Sequence, residues 1–159
     1  MTGPTMLRKF KTAAFVALAM IGIHFGAIAA SNGSPDEAKA MVEKAVKLLE
    51  TEGKDKAYAV FNDPNGGFVD RDLYVFVLNM EGTTVSHGAN KALIGKSLLN
   101  LKDADGKAFI QDMIATAKGP GSGWVDYKWP NPTTKKVELK SSFIKKFGDV
   151  IVGVGVYKG

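Results

Sequence analysis

The sequence predicts an α+β fold: a five-stranded antiparallel sheet with a long helix on one face and a loop-plus-helix insertion over the other. Three observations predict it. Apolar residues recur with helical spacing before residue 62, strand-like runs follow, and helical spacing returns only once, at 107–118. A sheet covered in this way has a cavity beneath its insertion.

The long helix begins at a capping box, Ser34 to Glu37, with Pro35 in the first helical position. Gly53 ends the helix. Its buried stripe consists of Ala38, Met41, Val42, Ala45, Leu48 and Leu49. A second, shorter helix is expected over 55–62, because Pro64 and two glycines break the pattern after it.

The first two strands form a hairpin. Residues 73–79 are apolar on both faces, the Glu81–Gly82 pair turns the chain, and 83–87 returns. Residues 88–106 read as a loop. The third helix, 107–118, is expected to have Asp105 as its N-cap.

Three more strands follow, at 123–129, 136–147 and 150–157. In the last of them Gly153 and Gly155 alternate with valines, so one face has almost no side chains before Tyr157. We expect a bulky group to approach the backbone there.

Residues 1–29 have the pattern of a secretory signal peptide. A basic start precedes an apolar run, and Ala27–Ile28–Ala29 is a small-residue cleavage signature. The alternative is an uncleaved membrane anchor, because the apolar run approaches the ~20 residues that span a bilayer. Cleavage predicts a periplasmic protein whose single domain occupies 34–158.

Charge and cysteine content exclude several classes. The formal charge of +5 falls to +2 without the three basic residues of 1–29, which argues against a nucleic-acid partner. The chain has no cysteine, which excludes disulfides, thiolate metal sites and cysteine nucleophiles.

Catalysis finds little support. His87 is the only histidine after residue 29, and no G-x-S-x-G elbow accompanies it. The Asp103–Gly106 segment resembles the start of a calcium loop but lacks the later ligands, and a turn explains it better. We therefore predict no enzyme activity, no metal and no cofactor.

Both tryptophans lie in GSGWVDYKWPNP, residues 121–132, where they could fill a core, line a pocket or form a flat surface. Strand alternation puts Tyr127 and Trp129 on one face and Trp124 on the other, which argues against one shared platform. On the next strand, Lys140 would by default be a solvated lysine.

Four stretches in order carry a family resemblance: DLYVFVLNMEGTTVSH, LIGKSLLNLKDADGKAFIQDM, GSGWVDYKWPNP, and KKVELKSSFIKKF with VIVGVGVY. From about residue 34 to 158 the chain resembles the single Cache domain, type 2. This is a PAS-like extracytoplasmic sensor module of chemoreceptors, sensor kinases and free-standing periplasmic proteins. The family fold matches the architecture expected from the residues.

The resemblance implies a pocket between sheet and insertion for a small organic molecule, often a short carboxylate. The positions it assigns to ligand contact are Tyr127, Trp129, Lys140 and His87, with a weaker claim for Trp124. A desolvated carboxylate needs charge-assisted donors, which these side chains supply. Two departures from the family pattern bear on ligand chemistry, Gly88 after the histidine and Phe143 where tyrosine is frequent.

The function expected is a periplasmic small-molecule-binding protein of the sensor type without catalytic output. We expect no signalling domain after Tyr157. This motivates an alternative from the interaction class, a module that docks on a membrane receptor or transport component. An enzyme built on His87 and scattered acids is the third hypothesis.

Overall fold

The computed structural model describes residues 32–158. The signal peptide expected at 1–29 lies outside the described residues. Three α-helices are present, α1 (Pro35–Glu52), α2 (Lys54–Phe61) and α3 (Phe109–Lys118), with a short 3₁₀ turn at Lys91–Leu93. The strands are β1 (Val69–Asp70), β2 (Leu73–Asn79), β3 (Thr84–His87), β4 (Ser122–Pro130), β5 (Val137–Phe147) and β6 (Val150–Lys158).

The sheet has the order β1-β2-β6-β5-β4, and β3 also pairs with β2. Every pairing is antiparallel. The five predicted strands correspond to β2 to β6, and the structure adds the two-residue strand β1. The predicted fold class is therefore confirmed.

Helix α1 begins at the predicted capping box. The Glu37 backbone N–H donates to the Ser34 hydroxyl at 3.3 Å, and the Ser34 N–H donates to the Glu37 carboxylate at 2.7 Å. These bonds and Arg71 lower the pKa of Glu37 to about 2. The helix packs on one face of the sheet through Ala38, Val42, Ala45, Val46 and Leu49.

The predicted cap of α3 is wrong. The helix has Ala108 at its N-cap without a side-chain hydrogen bond, and Asp105 lies in the preceding turn. The Asp103 carboxylate organises that turn instead, because it accepts from the backbone N–H groups of Asp105, Lys107 and Lys128 at 3.0, 2.9 and 2.9 Å. The turn interpretation of this acidic segment is thus confirmed, and the turn is fastened to β4.

Helix α3 covers the second face of the sheet. It buries Phe109, Ile110, Met113, Ile114 and Ala117 against aromatic residues of the strands. Within residues 32–158, no helix combines the length and the apolar character needed to cross a bilayer.

Candidate ligand-binding site

The side-chain-free face of β6 is occupied as the sequence predicts. A Cβ added to Gly153 would lie 2.2 Å from the tip of the Phe76 ring. One added to Gly155 would lie 2.2 Å from Lys140 Cε and 2.3 Å from Ser142 Oγ. The two glycines therefore make room for an aromatic ring from β2 and for the stem of a lysine from β5.

Lys140 is fully buried, so its default interpretation as a solvated surface lysine is wrong. Its side chain crosses β6 over Gly155, and Nζ donates to the Tyr74 hydroxyl at 2.7 Å. The ammonium also lies 3.9 Å from the centre of the Tyr74 ring and 5.0 Å from that of Tyr157. Aromatic faces and one phenol oxygen surround this cation.

The charge on Lys140 is poorly compensated. Burial lowers the pKa of the Lys140 ammonium well below its usual value, and the Asp72 carboxylate opposes that shift. The ion pairs formed among residues 32–158 do not include Lys140. An unpaired buried cation is costly, and an anion brought close to it would relieve that cost.

The hydrogen-bond network continues from Lys140 through three oxygens, which are the hydroxyls of Tyr74 and Tyr157 and the carbonyl of Pro130. The Tyr157 hydroxyl donates to the Pro130 carbonyl at 2.8 Å, so its own proton is committed. The Tyr74 hydroxyl must then be the donor in the long, 3.3 Å contact between the two phenols. Because its oxygen accepts from Lys140, Tyr74 is left with a polarised and weakly engaged O–H.

The two tryptophans lie on opposite faces of β4, as alternation predicts. Tyr127 and Trp129 have ring centres 6.2 Å apart, and both rings contact Phe109 of α3. Trp124 packs on Phe143 and is 40% exposed. The structure therefore brings Tyr127 and Trp129 to the face under α3 and leaves Trp124 away from it.

His87, at the end of β3, is buried beside this network. Its Nδ1 accepts from the Asn90 N–H at 2.9 Å, so the neutral imidazole carries its proton on Nε2. Its ring lies 4.9 Å from that of Tyr74. Burial, followed by the positive charge of Lys140, lowers the pKa of His87 to about 3.

Two adjoining cavities meet at Tyr74, His87 and Trp129, which line both. The mouth, of about 270 Å³, is otherwise lined by Ala89, Asn90, Pro130, Asn131, Pro132 and Lys135. The inner cavity, of about 20 Å³, is otherwise lined by Phe76, Leu78, Thr84, Leu98, Phe109, Ile110, Met113 and Tyr127. Lys140 lines neither cavity and reaches them through the Tyr74 hydroxyl.

Sequence reasoning missed Tyr74, which is the centre of the site. The run LYVFVLN is buried along nearly its whole length, and no alternation marks which residues face a cavity. Tyr157 was recognised only as the end of the glycine-rich face. The signal that could have found Tyr74 is its polar hydroxyl inside an otherwise apolar strand, since buried tyrosines need a partner.

Tyr127 differs from the other predicted contacts because its polar end is already satisfied. Its hydroxyl shares a 2.9 Å hydrogen bond with Ser142, and its ring stacks on Phe109 at 4.4 Å. Its face lines the inner cavity. Among the described residues, no group of three or more histidine and acidic side chains could hold a metal ion.

The sequence model of the Single Cache domain 2 family matches residues 7–159, and the chain belongs to this family. Cache sensory domains are extracytoplasmic, non-catalytic modules that bind ligands. The chain is accordingly a ligand-sensing module, and the resemblance found in the sequence is confirmed.

Two curated relatives are a sensor kinase and a chemotaxis protein. The sensor histidine kinase MctS of Rhizobium johnstonii is 37% identical over 89 residues, which cover 55% of this chain and 19% of that protein. The methyl-accepting chemotaxis protein McpP of Pseudomonas putida is 33% identical over 90 residues, covering 55% and 16%. The matched region spans less than a fifth of either relative.

Solved structures agree with the fold. A Cache chemosensory domain described for its recognition of carboxylic acid has a TM-score of 0.67 and 25% identity, covering 78% of this chain and 92% of that one. A methyl-accepting chemotaxis protein of Vibrio parahaemolyticus has a TM-score of 0.66 and 25% identity, covering 77% and 86%. A periplasmic sensor domain of a chemotaxis protein has a TM-score of 0.63 and 27% identity, covering 78% and 90%.

Proposed function

We propose that this protein binds a short organic acid in the periplasm as a sensor-type module without catalytic output. The observation that carries the proposal is Lys140: a fully buried lysine without an ion-pair partner among residues 32–158, bonded to a tyrosine that lines both cavities. A carboxylate at the Tyr74 hydroxyl would supply the missing negative charge.

The carboxylate is placed where the two cavities meet. There it accepts from the O–H of Tyr74, whose oxygen in turn accepts from Lys140 Nζ. The indole N–H of Trp129 and the Nε2–H of His87 are the further donors on the same boundary. The acid would then interact with Lys140 through the neutral side chain of Tyr74. It need not touch the lysine itself.

The size of the cavities favours a short acid. The inner cavity of about 20 Å³ has room for one water-sized group. Phe76, Leu78 and Met113 give it apolar walls, which suit a short carbon chain. A longer chain would have to displace α3 or leave through the mouth.

The family and the N-terminal sequence pattern support a periplasmic location. Cache domains are extracytoplasmic, and residues 1–29 carry the features of a cleaved leader. We therefore assign 1–29 to a signal peptide and 34–158 to the Cache domain. Mass spectrometry of the mature protein from a bacterial periplasm should find a chain that starts close to Ala30.

Binding is tested by titration calorimetry with acetate, propionate and butyrate. The wild type should bind at least one of them, and Tyr74→Phe and Lys140→Met should each weaken binding 100-fold or more. Lys146→Met is the matched control, because Lys146 lies exposed on the same strand. Absence of binding by the wild type, or equal affinities in the variants and the control, would refute the proposal.

The docking alternative has one supporting observation. Val137 and Leu139, which are 57% and 40% exposed, are neighbours on one face of β5 and form a small apolar patch; Asp126 and Ser141 separate this patch from Trp124, which is 40% exposed. If this patch docks on a membrane receptor, a periplasmic pull-down with wild type should recover that receptor in stoichiometric amount, and Leu139→Ser should lose it. Equal recovery with both proteins would count against docking there.

A further inference from the structure

The mouth of the site carries a second lysine. Lys135 lies in the 131–136 loop between β4 and β5, and it lines the mouth together with Tyr74, His87 and Trp129. It is exposed, and the ion pairs formed among residues 32–158 do not include it. Of the described residues that line the mouth, none is acidic. Lys135 is the one charged side chain among them, because the low pKa of His87, about 3, keeps the imidazole neutral.

The backbone of Lys135 has a conformation that favours glycine. Its φ is 62°, and among residues 32–158 only Arg71 and Lys135 combine a side chain with a positive φ. The Cβ atom strains the backbone in this region, which is why turns usually place glycine or asparagine there. Residues held against their backbone preference concentrate at ligand clamps and active sites. Lys135 therefore calls for a role that glycine could not fill.

Hydrogen bonds fix the shape of this loop. Asn131 is 1% exposed, and its side-chain oxygen accepts from the N–H and the hydroxyl of Thr133 at 2.9 and 2.8 Å. Its Nδ2 donates to the Glu138 carboxylate at 2.7 Å. Its main-chain N–H donates to the Lys136 carbonyl at 2.8 Å, and its carbonyl accepts from the Lys135 N–H at 2.9 Å. The loop thus sets the position of the Lys135 backbone without a ligand.

The base of the loop is tied to the hydrogen bonds behind Tyr74. The Tyr157 hydroxyl donates to the carbonyl of Pro130, the last residue of β4, and lies 3.3 Å from the Tyr74 hydroxyl. Tyr74 itself accepts from Lys140. The mouth therefore extends from Tyr74, which is 1% exposed, to the exposed Lys135.

The mouth has room for a short carbon chain between these two ends. Its volume of about 270 Å³ is close to the ~300 Å³ of the smaller pockets that hold organic ligands. Trp129, Pro130 and Pro132 supply apolar surface along it. A chain that lies here does not enter the inner cavity.

We propose that Lys135 is a specificity-determining residue that pairs with a second carboxylate, so that the ligand class of this site is a short dicarboxylic acid. The proposal rests on the proposed function, since the first carboxylate is the one at Tyr74. Each carboxylate then has its own lysine. Lys140 acts on the first through the Tyr74 hydroxyl, and Lys135 pairs with the second at the rim. A plain alkyl acid leaves Lys135 in water and binds more weakly.

The test compares dissociation constants by titration calorimetry for acids of equal carbon number: propionate against malonate, butyrate against succinate, and pentanoate against glutarate. The wild type should bind one diacid about fivefold more tightly than its partner, equivalent to about 1 kcal/mol, the upper range for an exposed ion pair. In Lys135→Met this preference should fall below about twofold, while the affinity for monoacids stays the same. Lys136→Met is the matched control and should keep the preference, because Lys136 is an exposed neighbour that does not line the mouth.

Lys135→Gly separates binding from folding. Glycine adopts a positive φ without strain, so this variant should melt at or above the wild-type temperature and still lose the preference for the diacid. Three results would overturn the assignment of Lys135 and leave the proposed function intact: a wild type that binds a monoacid but prefers no diacid, a preference that either Lys135 variant retains, or an equal loss in Lys136→Met. A wild type that binds none of the six acids overturns both.

Discussion

The two faces of the sheet are built from different chemistry. The face under α1 is a continuous apolar layer of alanine, valine, leucine and phenylalanine, completed by Phe61 of α2 and by Phe68. The face under α3 contains three buried tyrosines, a buried lysine and a buried histidine beside two cavities. The first face is suited to stability and the second to recognition. Substitutions on the α1 face should therefore change mainly the free energy of unfolding, and substitutions on the α3 face should change the affinity for acids.

The largest effect is expected on the α1 face. Phe61 is fully buried and contacts the Phe68 ring edge-on at 4.8 Å. Phe61→Ala should lower the free energy of unfolding by about 3–5 kcal/mol, measured by urea denaturation. Below the transition, its affinity for acids should equal that of the wild type. A large loss of affinity in folded Phe61→Ala would break the division between the faces.

Gly155→Ala should affect both properties, because the new methyl group collides with Lys140 and Ser142. Overpacking of this kind costs about 1–3 kcal/mol. Displacement of the lysine from Tyr74 should also weaken acid binding by at least tenfold, measured by calorimetry. Val154→Ala is the matched control, because this neighbour on β6 faces α1 and should lose stability while keeping affinity.

His87 predicts a pH dependence. Its pKa is lowered from 6.5 to about 3, so the unfolded chain binds a proton that the folded protein does not bind between those values. Its contribution to stability is complete above pH 6.5 and is lost as pH falls toward 3, at up to about 1.4 kcal/mol per pH unit. The free energy of unfolding can be measured by urea denaturation at several pH values. Its slope against pH should be shallower for His87→Gln than for the wild type. Identical slopes would mean that the imidazole does not cause the acid sensitivity.

The smallest effect separates the two tryptophans. Trp124→Phe changes a partly exposed ring and should alter the free energy of unfolding by about 0.5 kcal/mol or less. Its affinity for acids should not change. Trp129→Phe removes an indole N–H at the cavity boundary and should weaken binding about tenfold. Equal effects of the two substitutions on affinity would contradict the assignment of the faces.

The sequence was sufficient for the fold where local chemistry determines structure. The Ser34 capping box, the β-turns and the gap over Gly153 and Gly155 all depend on residues that are near in sequence or on strict alternation. The prediction that Asp105 caps α3 was wrong because the Asp103 carboxylate accepts from the backbone N–H groups of this turn, those of Asp105 and Lys107.

The site was only partly predictable. Alternation separated Trp124 from Tyr127 and Trp129, but it could not show that Lys140 is buried, because its partner Tyr74 is 66 residues away in the chain. The bulge at Thr84 is likewise invisible to alternation, since an inserted residue reverses the direction of the side chains around it. Long-range contacts and register shifts are the parts that required the structure.

A crystal structure of the protein soaked with propionate or 3-hydroxypropionate would show directly whether the acid binds at Tyr74. We expect a carboxylate within about 3 Å of the Tyr74 hydroxyl, at the boundary shared by His87 and Trp129, with Lys140 still bonded to the phenol oxygen. An acid bound on the α1 face or at the Trp124 surface, with the inner face unchanged, would contradict it.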